Sequence, residues 1–151
     1  MILPYRKETI VLTKKAEEVL NLLNQSVDHK RKKDKKVFTG KVQGNTLNLT
    51  RITERVENFK PQIKGRIENT SRGSILFLTY TLEFSTRMYV VFWSVTSFFF
   101  ALVLWFIRND LFLGLMALGG LILNILVTHV NFYRQLKITR SDLYKVLNDQ
   151  D

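Results

Sequence analysis

The fold of this protein is decided by residues 88–132, which read MYVVFWSVTSFFFALVLWFI (88–107), RND (108–110) and LFLGLMALGGLILNILVTHVNF (111–132). The two long runs contain no Asp, Glu, Lys or Arg, and each has at least 20 residues. A helix rises about 1.5 Å per residue, so either run can cross a hydrocarbon layer about 30 Å thick. Three residues between them suffice only for a turn. The sequence predicts a transmembrane helical hairpin whose two ends emerge on the same side.

The alternative is that both runs form the core of a soluble helical protein. A soluble helix usually has an apolar stripe and a polar face. Here Phe98–Ile107 and Leu111–Leu123 are apolar on every face. A chain of 151 residues also has too little other material to enclose two such helices. The pattern therefore favours a membrane.

Small and polar residues inside the hairpin recur with helical spacing on one face of each run. If the two helices run antiparallel from a turn centred on Asn109, residues equally far before and after the turn lie side by side, so their numbers sum to about 218. We call this estimate reflection through the turn. Small residues let helices approach, and a buried amide needs a partner in lipid, so we expect a hydrogen bond between Asn124 and Ser94. Alternative roles for Asn124 are lining a conduit and binding a second copy of the chain. The predicted helix–helix interface consists of Ser94, Ser97, Ala101, Ala117, Gly120 and Asn124.

The 87 residues before the hairpin predict a small α+β domain. A strand at Lys7–Leu12 precedes a helix that is capped by Thr13 and runs to about Gln25. This order predicts a curved antiparallel sheet with one packed helix, followed by the hairpin and a short C-terminal helix. The four further strands expected from alternating apolar residues and turn signals are Val37–Val42, Thr46–Ile52, Gln62–Glu68 and Ser74–Phe84.

The segment after the hairpin predicts a short tail. Leu136–Thr139 are expected to be extended, and Ser141 is expected to cap a short helix that packs back on the domain. The predicted organisation is a cytoplasmic α+β domain at 1–87, a transmembrane hairpin at 88–132 and a cytoplasmic tail helix at 133–151.

Positive charge is concentrated before the hairpin, where residues 1–87 hold 18 Lys/Arg and 9 Asp/Glu. Lys and Arg near membrane ends favour the cytoplasmic side, so we expect a two-pass protein of the bacterial inner membrane with both termini inside. A polybasic loop at 29–36 is placed beside the lipid headgroups, because the strand after it should begin at the membrane end of the sheet. The residues predicted to bind the anionic lipid surface or a partner are Lys30, Arg31, Lys32, Lys33, Lys35 and Lys36.

No pattern typical of catalysis is visible in the sequence. It lacks cysteine, and its two histidines lie in the basic loop and in a membrane run. No Walker-type glycine loop or His-Glu-x-x-His motif occurs. We therefore expect no enzyme activity, no metal and no cofactor.

A set of strand positions carries a family resemblance: Phe38-Thr39-Gly40, Leu47, Leu49, Arg51-Ile52, Asn58-Phe59, Pro61, Ile63, Gly65 and Ile67. With these residues the chain resembles a group of small uncharacterised bacterial two-pass membrane proteins, in which a strand-rich domain precedes two hydrophobic helices and a short polar tail. The resemblance implies this layout and no activity.

Three functions are compatible with the sequence. The leading hypothesis is a non-enzymatic membrane protein whose cytoplasmic domain binds a partner or the anionic membrane surface. The second is a membrane-perturbing or membrane-sensing effector that acts as a homo-oligomer through Gly120 and Asn124. The third, a membrane-tethered nucleic-acid binder, ranks last because the basic run has no interleaved aromatic residues.

Overall fold

The computed structural model of the chain describes residues 3–28, 37–52 and 59–148. The predicted α+β class is confirmed, since a sheet and one short helix precede two long helices. The elements are β1 (Tyr5–Leu12), α1 (Ala16–Ser26), β2 (Val27–Asp28), β3 (Phe38–Gln43), β4 (Thr46–Arg51), β5 (Pro61–Thr70), β6 (Gly73–Leu82), α2 (Phe84–Phe106) and α3 (Leu111–Asn148).

The strands form one sheet in the order β1-β6-β5-β4-β3-β2. Strands β3 to β6 are the predicted antiparallel meander. β1 extends it by pairing antiparallel with β6 along its whole length, and the two-residue β2 pairs parallel with β3. The first strand of the domain is therefore fixed to the strand that leads into α2.

One face of the sheet is covered and the other is open. The inward side chains of β6, such as Leu76 and Tyr80, are fully buried, and they share a hydrophobic core with Val19 and Leu23 of α1. Because side chains alternate along a strand, the opposite face carries the odd-numbered residues of β1, β6 and β3 and the even-numbered residues of β5 and β4. We call this surface the open face.

The predicted cap of α1 at Thr13 is wrong. The helix begins at Ala16, and the side chain of Lys15 before it makes no capping bond. The Ala16 N–H instead donates to Oδ1 of Asn69, 3.0 Å away at the end of β5. The apolar stripe predicted for this helix is buried in the core. The cap therefore comes from a residue distant in sequence, which no local pattern could indicate.

Gly40 allows β3 and β4 to approach closely. Its φ is 147°, and a Cβ built on it would lie 2.0 Å from the backbone oxygen of Asn48. No other residue type fits this position without moving the backbone. This glycine in the middle of β3 therefore marks a close approach of two backbones.

The turn predicted at 108–110 connects the two long helices. α2 begins at Phe84, earlier than predicted, and only Glu83 separates it from β6. At the other end of α2, Asn109 adopts a left-handed conformation with φ 52°, which asparagine tolerates better than most residues. Asp110 then caps α3, because its Oδ1 accepts the N–H of Leu113 at 3.1 Å.

The prediction of an extended segment at Leu136–Thr139 and a new cap at Ser141 is wrong. α3 continues without a break for 38 residues, about 57 Å. An apolar stripe with helical spacing stabilises its second half. Burial of this stripe outweighs the preference of the β-branched pair Ile138-Thr139 for an extended conformation. The residues of the second half that are buried in the domain core or beside it are Phe132, Leu136, Thr139, Leu143 and Leu147.

Strand register determines which strand ends lie beside α2. β6 ends at Leu82 next to α2, so its neighbours place Tyr5, Pro61, Arg51 and Phe38 at the same end. We call this the hairpin end of the sheet. The start of β3 lies there, as predicted. The polybasic residues Lys30, Arg31, Lys32, Lys33, Lys35 and Lys36 lie outside the described residues, so their placement stays a prediction.

Candidate functional site

Two helices are long and apolar enough to cross a membrane, and the protein itself covers little of their surface. The most apolar windows of α2 and α3 have mean hydropathies of 1.9 and 2.3, and 11% of each window is buried. Large side chains such as Phe92, Phe99, Phe112 and Leu123 are exposed. Apolar surface of this extent is unfavourable in water, so lipid or an apolar partner must cover it.

The two helices pack closely where Ala101 meets Gly114. A Cβ built on Gly114 would lie 3.4 Å from the carbonyl oxygen of Ala101 and 3.6 Å from Cβ of Trp105. Ala101 and Gly114 are both buried. Reflection through the turn placed Ala101 beside Ala117, so this contact lies three residues nearer the turn. Gly114 is thus an interface residue that sequence reasoning missed, although its small size was the available signal.

The structure brings together part of the predicted helix–helix interface. Ala101 is buried, whereas Ser94, Ser97, Ala117 and Asn124 are partly buried. Gly120 is exposed, and a Cβ built on it would have no atom within 4 Å. Ser97, Ala117 and Gly120 instead line a shallow groove between the helices, together with Phe100, Leu104, Leu113 and Met116.

The predicted hydrogen bond between Asn124 and Ser94 is not formed. Oγ of Ser94 is buried and has no hydrogen-bond partner. The backbone oxygen of Asn124 accepts the hydroxyl of Thr128 at 2.8 Å, which satisfies that hydroxyl within α3. The hairpin is therefore held chiefly by packing of apolar and small residues.

Replacing Gly114 should separate the helices, whereas replacing Gly120 should not. We expect Gly114→Leu to increase the distance between α2 and α3 by about 1–3 Å, because a side chain must fit where backbone now packs. Spin labels on the exposed positions Phe99 and Leu115 would report this distance by electron paramagnetic resonance. Gly120→Leu is the matched control, and an equal change in both variants would contradict the observed interface.

Polar groups appear in α3 at the level where α2 begins. Thr128 and Arg87 each lie 14 residues from the Ala101–Gly114 contact, on the side away from the turn. Because the helices are antiparallel, Thr128 is therefore level with Arg87 in the first turn of α2. Nδ1 of His129 lies 3.0 Å from the carbonyl oxygen of Ile125, so this ring is also satisfied within the helix. This level marks the boundary between the apolar hairpin and the domain.

In the part of the chain that the structure describes, four cations that form no ion pair lie near this boundary, and one of them, Arg87, lies 5.6 Å from the centre of the Phe84 ring. Arg6 lies opposite Tyr80 near the end of β6, and the carbonyl of Lys60 accepts the N–H of Glu83 at 3.4 Å. Arg87 is in the first turn of α2, and Arg134 of α3 lies six residues, about 9 Å, beyond Thr128 on the side of the domain. We call Arg6, Lys60, Arg87 and Arg134 the boundary cations. Among the described residues, the negative charge set against these four positive charges at the same level is that of Glu83.

The second half of α3 is part of the domain. Its apolar stripe packs into the core that contains Val19, Leu23 and Phe38. Arg51 at the end of β4 donates through Nε to Oδ2 of Asp142 at 2.7 Å. The domain and the end of α3 therefore lie at the same end of the hairpin, as the sequence predicts for a chain that crosses and returns.

A partly buried ion pair fixes α3 to the opposite edge of the sheet. Arg140 donates from Nε to Oε2 of Glu8 on β1 at 2.9 Å and from Nη2 to Oε1. The hydroxyl of Tyr144 donates to the same Oε1 at 3.0 Å. The Glu8 side chain is only 11% exposed. One helix is thus tied to β1 on one side and to β4 on the other.

The environment of this pair shifts the pKa of each member. Burial alone would raise the pKa of Glu8, but the bonds from Arg140 and Tyr144 outweigh burial and hold it below the usual value. The bond to Glu8 raises the pKa of Arg140. Burial, and then the Glu8 carboxylate, raise the pKa of the fully buried Tyr80. The pair is therefore charged and the tyrosine neutral at neutral pH.

The interior of the domain is filled by side chains. Phe38 and Tyr80, which could have floored a ligand pocket, are fully buried in the core, and the partly buried Phe59 packs against that core. Within the described ranges, no three His, Asp or Glu side chains lie together in a way that could hold a metal ion. The absence of enzyme activity stays a prediction.

Comparison of the chain with known protein families, curated proteins and solved structures finds no match. The resemblance to two-pass bacterial membrane proteins stays a prediction.

Proposed function

We propose that this protein is a non-enzymatic two-pass membrane protein whose domain binds the anionic surface of the membrane that holds its hairpin. The observation that carries the proposal is the position of the boundary cations. They surround the level at which the apolar hairpin gives way to the polar domain, where the headgroups of a bilayer would lie.

Charge and burial support an anionic surface as the ligand. Each Lys or Arg near an anionic leaflet contributes on the order of 1 kcal/mol, and less as salt is added. Arg6, Arg87 and Glu83 are exposed. Their charges are accessible to headgroups, and among the described residues at this level positive charge exceeds negative charge. Lys30–Lys36 would add to the same attraction if they lie where the sequence predicts.

The fold supports a domain held close to the bilayer. One residue separates β6 from α2, and α3 has neither Gly nor Pro from Leu121 to Asn148. Both connections are therefore short and stiff, and the domain cannot move far from the hairpin. The excess of Lys and Arg in the domain favours the cytoplasmic side, so the proposed location is the bacterial inner membrane with both termini inside.

Neutralising the boundary cations should abolish a preference for anionic lipid. The full chain would be placed in bilayers that contain spin-labelled phosphatidylglycerol or phosphatidylcholine, and the immobilised fraction of each lipid would be measured. We expect a preference for phosphatidylglycerol of about five-fold, which corresponds to about 1 kcal/mol. Replacing Arg6, Lys60, Arg87 and Arg134 with Gln should reduce that preference to nearly none.

The matched control removes the same charge from the open face by replacing Lys7, Lys41, Lys64 and Arg66 with Gln. The control should keep the lipid preference, because those side chains lie farther from the hairpin. A preference that survives loss of the boundary cations, or that falls equally in the control, would contradict the proposal.

A further inference from the structure

The open face carries most of the exposed large apolar side chains of the domain. Within the described part of residues 3–82, four such side chains are exposed, and Tyr5, Val11 and Phe77 of the open face are three of them. Val11 is 77% exposed and lies directly opposite Ile75, while Phe77 is 42% exposed. Val11 and Phe77 are diagonal neighbours on adjacent strands, so they form one apolar patch.

Positive charge lies beside this patch. Lys7, Lys64 and Lys41 occupy one row across the sheet, separated by Thr79 and Asn48. Arg66 is in the next row, directly opposite Phe77. The open face also carries Glu68, which pairs with Arg66 at 3.0 Å. Charge complementarity therefore favours an acidic partner.

Distance along the strands favours a partner other than the lipid surface. At about 3.3 Å per residue, the row that contains Thr79 lies about 10 Å from the end of β6 at Leu82, and Ile75 lies about 23 Å from it. The electrostatic screening length at physiological salt is about 8 Å. The apolar patch thus extends from the middle of β6 to the end of the sheet that points away from the hairpin, about 16–23 Å from Leu82, where lipid would not cover it.

The spacing of the lysine row matches a helix. Strands lie about 4.8 Å apart, so successive lysines in the row are about 10 Å apart, and residues seven positions apart in a helix are separated by about 10.5 Å on one face. Helices already cover the other face of this sheet. An amphipathic helix with acidic residues at that interval could meet the lysines while its apolar residues cover Val11 and Phe77.

We propose that the open face docks an acidic amphipathic helix of a protein partner. This interaction goes beyond the proposed binding of the membrane surface. It shares with that proposal only the requirement that the hairpin lies in lipid. The two surfaces use different residues, since the boundary cations and the open-face cations do not overlap.

The test uses the full chain in phosphatidylcholine nanodiscs and a fluorescent 21-residue helical peptide, with Glu at seven-residue intervals and Leu beside them. We expect binding, measured by anisotropy, to exceed that of a scrambled peptide of the same composition. Lys64→Glu combined with Phe77→Ser should weaken binding at least about ten-fold. Lys145→Glu combined with Ile138→Ser, an equivalent change on exposed positions of α3, should leave it unchanged.

Several outcomes would overturn the proposal: no binding of the helical peptide, equal binding of the scrambled peptide, equal loss in the α3 control, or displacement of the peptide by an oligonucleotide that binds more tightly. Membrane binding is assessed separately by lipid selectivity, so either proposal can fail while the other stands. Hydrogen exchange of both double variants would establish that the sheet is intact.

Discussion

Gly40→Ala is expected to lower the free energy of unfolding of the domain by about 3 kcal/mol or more. The new Cβ would lie 2.0 Å from the carbonyl oxygen of Asn48, and about 3.0 Å from the carbon of that carbonyl and from Cα of Leu49. All three are backbone atoms, so no side-chain rotation can relieve the overlap. A φ of 147° adds strain for any residue with a Cβ.

The measurement is hydrogen exchange of the full chain in bilayers, because it reports on β3 and β4 directly. The matched control is Gly44→Ala, where φ is 53° but no atom lies within 4 Å of the new Cβ. That change should cost only about 1 kcal/mol, from the left-handed conformation alone. Equal protection in the two variants would show that the close approach of β3 and β4 is not as described.

Arg140→Met is expected to cost about 2 kcal/mol at neutral pH. The change leaves the Glu8 carboxylate without its charged partner in a site where that side chain is 11% exposed. Removing one member of a fully buried pair costs more, and the partial exposure of Arg140, at 31%, reduces the value here. The control is Arg66→Met, whose pair with Glu68 is exposed and should contribute less than about 0.5 kcal/mol.

The effect of Arg140→Met should depend on pH. In the native chain the pKa of Glu8 is lowered, so its stabilising contribution is complete above the ordinary glutamate value of 4.5 and is lost as pH falls through the folded-state pKa. In the variant, burial without the arginine should raise that pKa, and protonation then relieves the cost. The difference in unfolding free energy between the two chains should therefore shrink as pH falls from 7 to about 4.

Denaturant titrations of the two chains across this range, followed by hydrogen exchange in α3 and β1, would measure the difference. A constant difference would mean that Arg140 acts through packing of its stem and not through the Glu8 charge. Loss of protection in α3 ahead of the rest of the domain would show that this ion pair holds the helix to the sheet.

The hairpin and the strands could be predicted because their signals are local. Residues 98–107 and 111–123 are apolar on every face, and the uncharged runs that contain them are long enough to cross a membrane, so length and composition suffice to predict the hairpin. Apolar residues alternate along β6, and this pattern places Leu76 and Tyr80 on the buried face of the strand. The turn at 108–110 contains the residue types that close one helix and cap the next. Such features are encoded by consecutive residues.

Two features of the candidate site have a signal in the sequence but were predicted wrongly from it. The second half of α3 has a helical apolar stripe that includes Leu136 and Leu143, yet the β-branched pair Ile138-Thr139 favoured an extended segment when taken alone. The small size of Gly114 indicates a site of helix contact. Reflection through the turn, however, gives only an approximate pairing of residues between the two helices, and it paired Ala101 with Ala117. Helix faces recur every 3.6 residues, so rotation of the helices decides which side chains meet.

The sequence by itself determined that this chain has two long apolar helices joined by a tight turn, and an alternating sheet before them. Only the tertiary structure decided that β1 pairs with β6, that Asn69 caps α1, and that Glu8 meets Arg140 across 132 positions of sequence. The physical reason is that periodicity assigns each segment a face to bury but not the face it is buried against. That choice depends on how well distant segments fit together, which no stretch of neighbouring residues records.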